Sequence, residues 1–363
     1  MSTIELTPDD ADRVETFATN LFMATLGAME LVTIELGIRL GLYEALAGAG
    51  PTTPGELAAA TGTHRRYLRE WLEQQAASGV LEVVDPRAGP EERRFVLPNA
   101  HAHVLTDDDS EACMKPCASV VPAATHALSL MEDAYRTGEG VSFGSFDIHD
   151  VQAAFNRPVF RNHLTQDWLP AVEDVHERLV RGDRVRIAEV GCGEGLAAVL
   201  IASAYPNAEV DGYDLDERSI AAAVAQAERA GVGDRARFHL QDAADPGIAG
   251  DYDLVLAIEM LHDMPDPVGV LQTMRRLAGT AGTVLVVDER AEESFTAPAG
   301  EMERFLYAFS ALHCLAVSMQ DGGVGTGTVM RPDTMQQYAT RAGFTGVTVL
   351  DVEHPQFRLY RLN

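Results

Sequence analysis

Ile187-Ala-Glu-Val-Gly-Cys-Gly-Glu-Gly-Leu196 decides the fold of this 363-residue chain. An apolar run that contains one acid leads into glycines at alternate positions, and an apolar segment of helical character follows. The pattern predicts a buried parallel strand, a tight turn and the start of a helix. In an open α/β sheet such a turn lies at the carboxyl ends of the strands, where ligands bind. A dinucleotide fingerprint requires G-x-G-x-x-G. Here Gly191, Gly193 and Gly195 read G-x-G-x-G, and Leu196 stands where the third dinucleotide glycine would fall. Glu189 precedes the glycines by two residues.

Outward from this turn, strands are predicted over 185–190, 208–214, 236–240, 253–258 and 283–287, with helices over 196–204, 218–230 and 268–277. A helix over 333–342 and strands over 346–352 and 356–362 follow. Strands alternating with helices predict a parallel doubly wound sheet. Only Glu353-His-Pro355 separates the last two strands, which predicts a hairpin. Asp214 ends the second strand, twenty-three residues after Gly191. A carboxylate there suits the ribose hydroxyls of an adenosyl ligand. After the third strand comes Leu240-Gln-Asp-Ala243, and after the fourth Glu259-Met-Leu-His-Asp-Met-Pro-Asp-Pro267.

The glycine spacing with Glu189 resembles motif I of the class I S-adenosylmethionine (SAM) methyltransferases. His262-Asp263 after the fourth strand resembles the catalytic pair of the winged-helix small-molecule O-methyltransferases. The segments Leu312-His-Cys-Leu315 and Gly325-Thr-Gly-Thr-Val-Met-Arg331 are similar to those of bacterial members. The resemblance implies an α/β fold: a Rossmann-like SAM-methyltransferase sheet of seven strands, the last antiparallel and inserted beside the sixth, with an N-terminal α-helical winged-helix domain. It implies SAM as cofactor, bound by Glu189, Gly191, Gly193, Gly195, Asp214, Leu215, Asp242, Ala243 and Glu259. Asp242 would accept from adenine N6, and the Ala243 N–H would serve a ring nitrogen.

The same resemblance implies methyl transfer to a small-molecule acceptor at oxygen, with His262 as general base and Asp288 orienting it. Glu289, one residue on, is the alternative to Asp288. An imidazole suits taking a proton from a phenol, carboxylic acid or enol near neutral pH. This reading needs no metal. One alternative is C-methylation of an α-keto acid by a metal held on His262, Asp263 and His313, two imidazoles and a carboxylate. Another is a SAM-binding regulator that transfers no methyl group.

Towards the N-terminus, residues 14–47 predict one long helix with two apolar stripes, through Phe17, Leu21 and Leu31 and through Phe22, Met29 and Leu36. A helix apolar on two sides is buried on two sides, and a second copy of the chain is expected to cover one of them. Glu35 and Arg39 are placed to pair on the surface between the stripes. Helices over 52–62 and 63–77, then a hairpin over 80–84 and 94–97, predict a winged helix-turn-helix. His64, Arg65, Arg66 and Arg69 sit where a recognition helix presents its side chains. However, residues 1–100 carry 8 arginines against 15 acids. Phosphate contacts dominate affinity for DNA, so a homodimerisation role is expected rather than nucleic-acid binding. The expected domains are winged helix over 1–105, a helical connector and lid over 106–180, and the SAM-binding domain over 181–363. Within the connector, Thr106 to Ser110 is expected to cap a helix. Aromatics in Phe143-Gly-Ser-Phe-Asp147 and Val151-Gln-Ala-Ala-Phe-Asn156 are placed as a pocket lid. Met302, Phe305, Leu306, Phe309 and His313 are expected to share one helical face.

A net charge of −27 argues against general affinity for nucleic acid or anionic membranes. The apolar run over 21–43 carries Glu30, Glu35 and Arg39 and is expected not to span a membrane. Four cysteines show no zinc-finger pairing and no secreted disulfide framework, so the expected compartment is the cytoplasm.

Overall fold

In a computed structural model the chain is described over residues 6–242, 244–245, 247–248 and 250–363. Ala243, placed by sequence in the cofactor site, lies outside the described residues. The chain forms two compact units, Met1–Pro122 and Ala123–Asn363.

The first unit opens with the helix Pro8–Arg39, whose start is fixed by the Asp10 carboxylate accepting from the Thr7 N–H and hydroxyl at 2.9 and 2.7 Å. The single helix predicted over 14–47 is instead two. Gly41, at φ +64°, breaks it before Leu42–Leu46, in a conformation that glycine takes without a Cβ clash. Towards the C-terminal end of the helix, Ile38 of the first stripe and its neighbour Ile34 pack against the core that contains Leu42, Tyr43, Leu57 and Leu72. Nearer the N-terminus Phe17 and Phe22 are 70% and 66% exposed, and Leu21 and Met29 are bare as well. By length and composition Asp10–Arg39 is also apolar enough to cross a membrane. Arg39 donates to Glu35 at 2.7 Å, but Glu35 is buried rather than on the surface, because Ser119 donates to its other oxygen at 2.7 Å.

The helix-turn-helix follows. Thr53 and Glu56 form a capping box on Pro54–Thr61, Gly62 ends that helix in the left-handed region, and Arg65–Ala77 is the second helix. Strands β1 (Glu82–Val83) and β2 (Phe95–Val96) pair antiparallel as a short wing. The arginines of the second helix are paired locally: Arg65 and Arg69 with Glu91, both at 3.2 Å, and Arg66 with Glu70 at 2.7 Å. The predicted cap over Thr106 to Ser110 does not form. Asn99–Thr106 ends there, and a turn closed by Cys113 N–H to Ser110 O precedes the helix Lys115–Thr137.

The second unit carries seven strands: β3 (Val185–Val190), β4 (Ala208–Asp214), β5 (Ala236–Leu240), β6 (Leu254–Ile258), β7 (Thr283–Glu289), β8 (Val347–Val349) and β9 (Phe357–Leu362). Their spatial order is β5-β4-β3-β6-β7-β9-β8. β3 to β7 run parallel, and β9 enters antiparallel between β7 and β8. β3 shows why the run at 187 is so apolar: Val185 and Ile187 face one core, Ala188 and Val190 the other. β7 is two residues longer than predicted, because Asp288 and Glu289 pair with Arg358 and Phe357 of β9. β8 is shorter than predicted; as an edge strand it has one neighbour and pairs only over Val347 to Val349.

Candidate active site

At the end of β3 the chain turns through Gly191, Gly193 and Gly195, all at positive φ (67°, 50° and 75°). The close approach differs at each. A Cβ on Gly191 would meet Met260 at 2.7 Å, and one on Gly195 would meet Phe238 at 2.6 Å. At Gly193 nothing lies within 4 Å, so that position opens onto free space above the turn. Glu189 is buried beneath the turn and accepts from the Ala198 N–H at 3.0 Å, at the start of the helix Leu196–Ala204. Burial pushes its carboxyl up to about 8.

Asp214 closes the turn from β4. Its two oxygens accept from the Gly193 and Asp216 N–H groups at 2.8 and 2.9 Å, while burial raises its pKa. The next residue, Leu215, is 66% exposed. Asp242 is exposed beyond β5 and accepts from the Ala244 N–H at 2.8 Å. An open glycine position, a buried acid at the end of β4 and a bare leucine beside it fit an adenosyl ligand, with its flat aromatic base and ribose diol.

The second half of the site gathers beyond β6 and β7. Glu259 leaves β6 at φ +54°, a left-handed conformation uncommon outside glycine. Its carboxyl is pushed up to about 7, chiefly by burial, with Asn156 hydrogen-bonded to it. Three residues on, His262 is 1% exposed. Its Nδ1 lies 2.7 Å from Asp288 Oδ1 and 3.0 Å from Glu289 Oε2, and its Nε2 lies 3.3 Å from Asp263 Oδ1. Burial alone would lower the imidazole pKa, but Glu289, Asp288 and Asp263 overcome it and hold the pKa well above the ordinary value. Burial would likewise raise Asp288, yet the His262 charge holds it below the usual carboxylate range. Glu289 is driven well up, first by burial. Asp288 and Glu289, alternatives in the sequence, both reach the same nitrogen here.

His313 lies near enough to His262 and Asp263 to feel the charge of both, but among the described residues the donor atoms of the three do not all come within 4.8 Å of one another. Its ring is fenced by Phe146, Phe143 and Phe309, with centroids 4.5, 5.7 and 6.0 Å away, and burial lowers its pKa. The residue whose donor atom comes within 4.8 Å of those of His262 and Asp263 is its neighbour Cys314. Both stand on a π-helical turn, Ser310–Cys314, that follows the helix Glu301–Phe309. That turn changes the helical phase of His313 relative to the four residues of the stripe before it, and within the preceding helix the predicted stripe is already split between exposed and buried positions. Met302 and Phe305 remain exposed, while Leu306 and His313 are buried. The sequence reading also passed over Cys314 as a neighbour of His262, and over His149, a lone histidine between the two aromatic stretches of the predicted lid. Its nearness to those aromatics was the available signal.

Residues 182–340 match the model of a methyltransferase domain, and residues 27–107 match an Rv2258c-like winged HTH domain. The 27-O-demethylrifamycin SV methyltransferase of Amycolatopsis mediterranei (strain S699) is 29% identical over 168 residues, 46% of this chain and 56% of that protein. The chain therefore aligns with little more than half the length of that relative. Two solved structures align along nearly the whole chain. The mitomycin 7-O-methyltransferase MmcR gives a TM-score of 0.67 at 20% identity, covering 97% of this chain and 99% of that one. PigF with S-adenosylhomocysteine (SAH) gives 0.69 at 19%, covering 99% and 100%. At these identities the two structures speak to the fold. Residues 182–340 thus form a methyltransferase domain built on this sheet, preceded in the chain by an Rv2258c-like winged HTH domain.

Proposed function

We propose that the protein transfers a methyl group to an oxygen of a small-molecule acceptor, with His262 as general base. The observation that carries this reading is the 2.7 Å contact between His262 Nδ1 and Asp288 Oδ1. An acid on Nδ1 keeps the proton there, fixes the ring and stabilises the imidazolium formed when Nε2 takes a second proton. SAM, when bound, supplies an electrophilic methyl on a sulfonium. Gly191, Gly193 and Gly195 give the backbone room to hold that cofactor. Glu189 braces the turn from below, Asp214 serves the ribose, and Leu215 and Asp242 serve the adenine. Glu259 faces the same region from β6. His262 Nε2 takes the hydroxyl proton of the acceptor, leaving its oxygen as the nucleophile. The acids that make His262 a strong base also keep it protonated near neutral pH, so its basic form grows as pH rises.

The chain acts as a homodimer through the helix Pro8–Arg39, whose exposed apolar residues a second copy covers. Because the methyl donor comes from cytoplasmic metabolism, the protein works in the cytoplasm. Incubation with methyl-labelled SAM and a panel of phenols, carboxylic acids and α-keto acids tests the reaction. His262→Asn is expected to lower O-methylation by about 10²-fold or more while leaving SAH binding intact. Full activity in that variant would remove the base from the mechanism.

A further inference from the structure

His149 opens the helix His149–Val159, just after the short 3-10 turn Phe143–Ser145. It is buried, yet neither ring nitrogen makes a hydrogen bond among the described residues. Nε2 stands 3.3 Å from Asp216 Oδ2, close enough that, against burial, it helps hold that carboxyl below its ordinary pKa, but without the geometry of a full hydrogen bond. Buried polar groups without partners are few in native proteins and each asks for an explanation.

The surroundings of His149 point to the cofactor side. Asp216 gives its N–H to Asp214, and Asp214 accepts from Gly193, so three residues lead from His149 to the glycine turn. Arg218, on the helix that Asp216 caps, pairs with Asp150 at 2.6 Å, a second contact between that helix and the segment 143–159, which forms a strap over it. Between strap and helix lies a cavity of about 350 Å³, lined among others by His126, Phe146, Asp147, His149 and Asp216. Each Asp214 oxygen already accepts one backbone N–H. Each oxygen keeps a lone pair for one ribose hydroxyl, but a carboxylate donates nothing, so the hydroxyl oxygens have use for a donating partner beside it. An imidazole offers one donor and one acceptor, and a hydroxyl matches both.

We propose that His149 is a further cofactor-binding residue, reaching the ribose hydroxyls of the adenosyl ligand from the strap. This rests on the reading of the glycine turn as the SAM site. The strap then serves both halves of the site, because Phe143 lies against His149 at 4.8 Å and against His313 at 5.7 Å.

Isothermal titration of the full chain with SAH and with its 2′,3′-dideoxy analogue tests the assignment without any methyl acceptor. His149→Phe keeps the ring and removes its polarity; His149→Asn keeps a polar group. The phenylalanine variant is expected to bind SAH about tenfold more weakly, the effect of roughly one hydrogen bond, and the asparagine variant to recover part of that loss. Removing the hydroxyls from the ligand should then matter less to His149→Phe than to the wild type. Wild-type binding of SAH with both variants within about twofold of it overturns the role of His149 and leaves the cofactor site standing. If His149→Phe fails to fold by its melting curve, an unchanged hydroxyl penalty in His149→Asn overturns the role equally. Failure of the wild type to bind SAH overturns the cofactor site and the role of His149 together.

Discussion

His262 Nδ1 and Asp288 Oδ1 meet at 2.7 Å with both side chains almost wholly removed from solvent, one from the turn after β6 and the other from the end of β7. A base built this way works on the alkaline side. The imidazole pKa is raised, so the rising limb of kcat/KM against pH should lie above 6.5, the ordinary value for histidine. Removing a negative charge destabilises the imidazolium, so Asp288→Asn should move that limb to lower pH and lower the plateau by about 10²-fold. A wild-type limb at or below the ordinary value would count against these acids.

Glu189 gives a stability prediction of definite sign. Its pKa moves from 4.5 to about 8 on folding, so between those values the folded chain holds a proton that the unfolded chain has lost. Wild-type stability should therefore fall as pH rises through that window. Glu189→Gln mimics the protonated side chain and should flatten the fall. Melting curves of both proteins from pH 5 to pH 9 make the comparison; a difference that does not vary with pH would refute it.

Two glycines of one turn should fail differently. Alanine at Gly193 costs about 1 kcal/mol for its left-handed backbone, and its Cβ meets nothing within 4 Å. Gly193→Ala should fold, melt slightly lower and bind SAH much more weakly. Alanine at Gly195 also drives into Phe238 and Ala223, at 2.6 and 2.7 Å, and should lose about 3 kcal/mol of stability. Thermal melts paired with SAH titration would show the order, and its reversal would sink the distinction.

The bare face of Pro8–Arg39 makes the oligomeric state measurable. Light scattering coupled to size exclusion should give a dimer for the wild type and a monomer for the double variant Phe17→Glu, Phe22→Glu. A monomeric wild type, or a variant that still dimerises, would place the interface elsewhere. Retention of the wild type on lipid vesicles, lost in the variant, would show that this face meets a membrane instead.

Much of the sheet was legible because the central strands β3, β6 and β7 are mostly apolar and buried, and the turns after β3 and β4 carry glycine or an acid. The bounds of β3, β4, β5 and Leu196–Ala204 match to the residue. Prediction failed where the deciding contact came from far along the chain. β7 runs on through Asp288 and Glu289 because β9, some seventy residues later, pairs with them. The placement of His313 turned on a π-helical phase change, which local spacing does not encode. Glu35 looked like a surface partner of Arg39 until Ser119 covered it. Near His262, sequence located the base and its acids but not their convergence. Asp288 and Glu289 stand as alternatives in the sequence because a strand's register is read only to within a residue or two, yet at the end of β7 both reach one nitrogen.

Glu259 narrows the choices open to anyone who would alter this site. At φ +54° its backbone takes a shape that glycine adopts freely, asparagine tolerates and alanine resists. Glu259→Ala therefore confounds two losses, the carboxylate and the bend of the chain that carries Met260 onto Gly191. Glu259→Gly removes the carboxylate and keeps the bend. A glutamate standing where glycine would sit more easily marks a position at which the side chain, rather than the backbone, is what the protein needs.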